Sequence, residues 1–151
     1  MQYDNSIELD VPRDEAVALF VDPENAQHWQ QGLKSREQLT GQPTQEGAEA
    51  RLVFDMGGKP MEMTELVLRR ELPEAYDLSY DARGALNVVQ NRFTDLGDGR
   101  TRWDQHNDFQ FTGMLKVMGW LMPGMFRKQS ATYMDAFKLF AENRASAAAD
   151  N

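Results

Sequence analysis

The chain has 151 residues, 41% of them hydrophobic and 26% charged, with a formal charge of −8 and no cysteine. That length suits one domain with a core and room for an internal pocket. The acidic field opposes phosphate backbones and anionic lipid surfaces, which removes nucleic acid as a partner, and the lack of cysteine excludes disulfides, thiolate nucleophiles and sulfur-ligated metals.

At the start, Tyr3, Ile7, Leu9 and Val11 alternate loosely up to Pro12, which predicts a strand over Gln2 to Asp10. The polar opening Met1-Gln-Tyr-Asp-Asn has neither the basic nor the apolar region of a secretory leader, so a cytoplasmic location is expected. Val17, Phe20 and Val21 then recur at helical spacing, with Asp14 and Glu15 in the first turn, where the helix dipole favours negative charge. Asp22-Pro23-Glu24 restarts a helix, Asp22 as N-cap and Pro23 at N1, and this second helix carries His28 and Trp29.

From Leu33 to Phe111, turn signals at Gly41-Gln42-Pro43, Gly57-Gly58-Lys59, Leu72-Pro73-Glu74, Arg83-Gly84 and Gly97-Asp98-Gly99 separate six runs of strand formers, the pattern of an antiparallel meander. In the third strand Ala50, Leu52, Phe54 and Met56 share one face, which sets the register. In the seventh, Trp103, Phe109 and Phe111 share a face with Gln105 and Asn107, so two amides sit in an aromatic row. A long helix closes the chain, with Met118, Leu121, Met122, Met125, Phe126, Gln129, Tyr133, Phe137 and Phe140 on one stripe and an interruption at Pro123-Gly124. Its longest apolar run, Met114 to Phe126, is broken by Lys116 and Pro123 and is too short to span a bilayer, so no stable membrane insertion is expected.

The order of strand, two helices, six strands and long helix resembles the helix-grip superfamily known as START-like, Bet v 1-like or SRPBCC, and within it the bacterial polyketide cyclase/dehydrase and lipid-transport branch. The stretches that carry the resemblance are Val11-Pro12 before the Val17 to Phe20 helix, Asp22-Pro23-Glu24-Asn25 with Trp29, Gly47 with Ala50-Arg51-Leu52, Gly99-Arg100-Thr101-Arg102-Trp103 and the Pro123 to Glu142 helix. The resemblance implies an α+β helix-grip fold: a seven-stranded curved antiparallel sheet around the C-terminal helix, with two short helices between strands one and two and an elongated cavity beneath the long helix. It implies no particular reaction. On this reading residues 1–144 form one domain and 145–151 a disordered tail.

Buried amides need partners, because one left unpaired costs about 1–3 kcal/mol. Gln105 and Asn107 therefore anchor either a ligand or an internal network that includes Asn91 and water. Tyr133 either brings its phenol to the same group or reaches solvent. The expected ligand-binding set is Leu52, Phe54, Met56, Met63, Asn91, Trp103, Gln105, Asn107, Phe109, Met118, Met122, Phe126, Gln129, Tyr133 and Phe137, with Met118, Trp120 and Met122 as a gate. For the methionines the competing reading is plain core. Catalysis has only Glu65 and Tyr133 as candidates: Glu65 is in phase with Met61 and Met63 and acts as a base if desolvated, or stays wet if the strand twists away. His28 and His106 are not expected to meet, and no metal-ligand spacing or phosphate loop occurs, so no metal or cofactor is expected. The leading expectation is a noncatalytic module for a hydrophobic or amphipathic small molecule: a lipid, an isoprenoid or quinone, or a polyketide. The alternatives are a polyketide cyclase or dehydratase, and a chaperone-activator-like interaction module. Monomer and homodimer both remain open.

Overall fold

Alternating side chains build seven strands that pair antiparallel throughout in the order β1-β7-β6-β5-β4-β3-β2. They are β1 (Gln2–Leu9), β2 (Leu33–Thr40), β3 (Glu49–Met56), β4 (Lys59–Glu71), β5 (Ala75–Ala82), β6 (Ala85–Gly97) and β7 (Arg100–Phe111). The computed structural model describes residues 1–149. The first strand pairs with the last, from Gln2 opposite Asp108 to Leu9 opposite Thr101, which places β1 at the edge of the sheet beside β7.

Four helices complete this α+β fold: α1 (Arg13–Val21), α2 (Ala26–Trp29), α3 (Met114–Leu121) and α4 (Pro123–Ala149). A 3-10 turn, Pro23–Asn25, precedes α2, and the Asp22 side chain accepts the Glu24 N–H at 3.0 Å, the N-cap expected there. Pro123 is the first residue of α4, where its missing N–H costs nothing, so the expected interruption takes the form of two helices meeting at Met122.

Phe20 of α1 is the centre of the core. Its ring lies 5.4 Å from Trp29, 5.3 Å from Phe93, 5.0 Å from Trp103 and 5.5 Å from Phe137, mostly edge to face, the preferred geometry of aromatic quadrupoles. Leu9, Val11, Val17, Met134 and Ala141 fill the spaces between these rings. The cluster plugs one end of the space between sheet and α4.

A polar seam holds α4 along β1. Tyr3 Oη donates to Phe126 O at 3.1 Å and lies 2.7 Å from Ser130 Oγ, while Asn5 Nδ2 donates to Arg127 O at 3.2 Å. Further along, Lys138 Nζ donates to Glu8 O at 2.6 Å and Glu142 Oε1 accepts the Asp10 N–H at 3.0 Å. The helix thus rests over the β1 side of the sheet, against α1 and α2, and not over its middle.

The tail departs from expectation. Ala145 to Ala149 continue α4, since alanine is the strongest helix former and Ala145 packs against the core; residues 150–151, also assigned to the tail, lie outside the described residues. No helix among the described residues is long and apolar enough to cross a membrane.

Phe137 is 0% exposed at the meeting point of the plug. Phe137→Ala should destabilise the fold by about 3–5 kcal/mol, whereas Leu139→Ala, on the wet side of α4, should change it by less than about 0.5 kcal/mol, as read by urea denaturation.

Candidate functional site

The inward side of β7 changes character along its length. Trp103 belongs to the plug, Gln105 and Asn107 follow as amides, and Phe109 and Phe111 form an aromatic floor. Phe109 and Phe111 stack at 5.3 Å, and each lies 5.1 Å from Phe126 of α4. The α3 helix closes down on this floor: a Cβ at Gly119 would stand 2.7 Å from the Phe111 ring, so only glycine permits the approach. Phe109, Phe111, Phe126 and Met63 are only partly buried. Between plug and floor the concave face is therefore a trough that is only partly covered.

A polar band crosses the trough at the level of the amides. Asn91 Oδ1 accepts from Trp103 Nε1 at 2.9 Å and from Gln105 Nε2 at 3.2 Å, and Asn91 Nδ2 donates to Tyr76 O at 3.0 Å. Gln105 Oε1 accepts from Asn107 Nδ2, and Asn107 Oδ1 from Asn87 Nδ2, both at 2.9 Å. The amides satisfy one another, which is the internal-network alternative with Asn91 in it. The chain ends unsatisfied: Asn87 Oδ1 is buried and finds no donor among the described residues. Asn87 lies opposite Tyr80, and Tyr80 opposite Glu65. The Glu65 carboxylate binds Arg36 Nη1 at 2.8 Å, with the small Ala50 of the intervening strand leaving room for the guanidinium to cross.

Three residues of this band, Asn87, Tyr80 and Arg36, were not singled out by sequence. Each sits on a strand whose inward phase was not tracked, and the available signal was the strand register: Asn87 is opposite Phe109, and Arg36 is opposite Leu52.

Several expected site residues lie elsewhere than predicted. Glu65 is buried and ion-paired, neither wet nor free, because Arg36 reaches it across β3. Tyr133 does not approach Asn107; its hydroxyl donates to Gln31 O at 3.4 Å on the surface, since α4 lies over β1 and turns this flank towards α2. Gln129, one turn earlier on that flank, is exposed, and so are Met56 at the end of β3 and Met118 and Met122 at the α3–α4 junction. Trp103 and Phe137, at 1% and 0% exposure, pack against each other within the plug. Leu52 and Phe54 are buried on the inward face of β3, beside Met63. His28 stacks on Phe140 at 5.6 Å and His106 Nδ1 lies 2.7 Å from Asp4 Oδ1, so the two histidines work apart. A polar hollow of about 670 Å³, between the 3-10 turn and α2 on one side and β2 on the other, is lined by His28, Leu33, Ser35 and Arg36 and leads to the Arg36 end of the band.

The model of the family described as "Polyketide cyclase / dehydrase and lipid transport" matches residues 2–139. The chain belongs to that family. Its fold is the helix-grip of the SRPBCC, or Bet v 1-like, superfamily. Among solved structures this family member is similar to a conserved protein from Geobacillus kaustophilus, with 18% identity, a TM-score of 0.81 and 95% and 96% of the two chains covered. It is also similar to the Zhui aromatase/cyclase from Streptomyces sp. R1128, with 15% identity, a TM-score of 0.79 and 96% and 95% covered, and to Ara h 8.0201, with 12% identity, a TM-score of 0.71 and 93% and 97% covered. At these identities the likeness establishes the fold alone. No curated protein sequence matches the chain.

Burial acts on every phenol of this SRPBCC domain. It pushes Tyr80 well above its ordinary value of 10.0, helped by the Glu65 carboxylate beside it, and raises Tyr76 for the same two reasons. Tyr3 and Tyr133 are also raised by burial, partly offset by hydrogen bonds to Ser130 and Gln129. These are all four tyrosines of the chain.

A folded-state value raised above the unfolded one gives stability that is complete below about pH 10 and is lost as pH climbs beyond it, because the unfolded chain ionises first. Tyrosinate absorbance at 295 nm should therefore develop only above pH 10 in the native protein and near pH 10 in urea. A second expectation concerns the ion pair: Arg36→Met, which strands Glu65 without its cation, should cost about 3–5 kcal/mol, and Arg36→Met with Glu65→Met should recover most of it in the same denaturation assay.

Proposed function

We propose that the chain is a cytoplasmic, noncatalytic carrier for an apolar small molecule that bears a hydroxyl group. The apolar body would rest among Phe109, Phe111, Phe126 and Met63, and the hydroxyl would donate to Asn87 Oδ1. That buried, unpaired acceptor at the edge of an aromatic floor carries the reading, since an unpaired buried oxygen costs about 1–3 kcal/mol that a donor from a guest would relieve. Pockets for small molecules have this composition, apolar walls with few polar groups. Ligand binding also agrees with the lipid-transport description of the family.

One observation favours a second reading, a cyclase or dehydratase. Glu65 is a buried carboxylate next to the Tyr80 phenol on the concave face, and the aromatase/cyclase from Streptomyces shares the fold. Carriage is preferred because Glu65 is engaged by Arg36 and the amides by one another, which leaves no free acid–base pair facing the trough among the described residues.

Calorimetric titration with 1-naphthol and 1-methoxynaphthalene separates donor recognition from apolar burial. The naphthol should bind about tenfold more tightly, the worth of one hydrogen bond. Asn87→Leu should abolish that preference while retaining the methoxy compound. Equal affinity of the two guests, or an unchanged preference in Asn87→Leu, would refute the anchoring role. Turnover of a polyketide chain that is lost in Glu65→Gln with binding intact would establish the enzyme instead.

A further inference from the structure

The α3 helix is apolar on nearly every side. Leu115 and Gly119 pack it onto the Gly84 turn and Phe111, while Met114 is 85% exposed, Trp120 81%, Leu121 63% and Val117 53%. Met118, Met122 and Met125 extend the same patch to the start of α4. A soluble chain keeps so many large apolar side chains together in water only where something covers them.

The charge around the patch indicates what covers it. From Phe109 to Met134 there is not one carboxylate, although the chain carries 24 of them, and this stretch holds three cations, Lys116, Arg127 and Lys128. None of the three forms an ion pair among the described residues. Arg83 adjoins it, next to the Gly84 turn on which Leu115 rests. A patch that paired with a second copy of itself would bring the cations of this stretch together, with no carboxylate from the stretch itself to offset them. An anionic bilayer surface supplies the opposite charge and an apolar layer beneath it, and tryptophan favours that boundary.

We propose that α3 and the α3–α4 junction seat the protein peripherally on anionic membranes, with Trp120, Met114 and Leu121 in the acyl–headgroup boundary and Lys116 and Lys128 against the lipid phosphates. The overall charge of −8 does not prevent this, because at physiological salt, fields fade over about 8 Å and the local cations dominate at contact. The net acidity sets a limit instead: binding is reversible, and it reverses the sequence-based expectation that anionic lipid surfaces are simply repelled. The trough floor at Phe111 lies directly under α3, so docking would set the α3-covered end of the trough against the bilayer.

The test uses ligand-free protein, so its outcome is independent of the carrier reading. Of the three tryptophans, Trp29 and Trp103 are buried, which makes Trp120 the residue that a collisional quencher reaches. With vesicles of 70% phosphatidylcholine and 30% phosphatidylglycerol, the emission should shift to shorter wavelength and iodide quenching should fall. Co-sedimentation should weaken at 500 mM salt and be absent with pure phosphatidylcholine. Trp120→Ser should reduce binding at least tenfold, and Lys116→Gln with Lys128→Gln should reduce it about fivefold per charge, with all variants keeping the parent's denaturation midpoint because these side chains are exposed. Quenching unaffected by anionic vesicles, undiminished binding of Trp120→Ser, or a concentration-dependent dimer that Trp120→Ser dissolves while vesicles bind nothing would each overturn the proposal.

Discussion

The placement of α4 along the edge of the sheet is the constraint on which the trough depends. A helix attracted only by apolar burial would settle over the middle of the concave face and fill it. Here hydrogen bonds from Tyr3, Asn5 and Lys138, with Glu142 accepting from Asp10, bind it to β1, and the ring of Phe137 locks its second half into the plug around Phe20. The first half of the helix therefore covers the β1 side of the floor and leaves the inward faces of the remaining strands partly open.

That geometry divides the interior by chemistry. At the plug, closely packed rings supply stability. Beyond it, the band from Arg36 to Asn91 is satisfied at nearly every atom, and buried polar groups in this condition rigidify the surface that carries them. Two acceptors are exceptions among the described residues: Gln38 Oε1, opposite Ala50, and Asn87 Oδ1, which stands where the band meets the aromatic floor. In the proposed carrier, selectivity would come from the unsatisfied acceptor beside the aromatic floor, not from a cluster of reactive groups.

The family and the interior also suggest why the outside is uneven. A carrier of apolar guests, as proposed, would meet them where they reside, and the stretch from Phe109 to Met134, free of carboxylates, places an apolar, cationic segment at α3, directly above Phe111. Site and surface share residues there: Gly119 packs on Phe111 from above while Phe111 forms the floor below.

Local chemistry in the sequence was sufficient for the architecture. Period-two alternation, turn residues, the Asp22 cap, the Pro123 break and the Trp103 to Phe111 row are each decided by a residue and its near neighbours, so seven strands, the helical elbow and the inward amides were all readable in advance. Tertiary structure alone decided what those groups do. Whether Glu65 is wet depends on an arginine 29 positions away that crosses an intervening strand, whether Tyr133 meets Asn107 depends on the edge along which α4 is tied, and whether Asn87 belongs to the band depends on its register with β7. Periodicity assigns a side chain to a face, but partners are fixed by distances between strands and helices remote in the chain, and those exist only once it has folded.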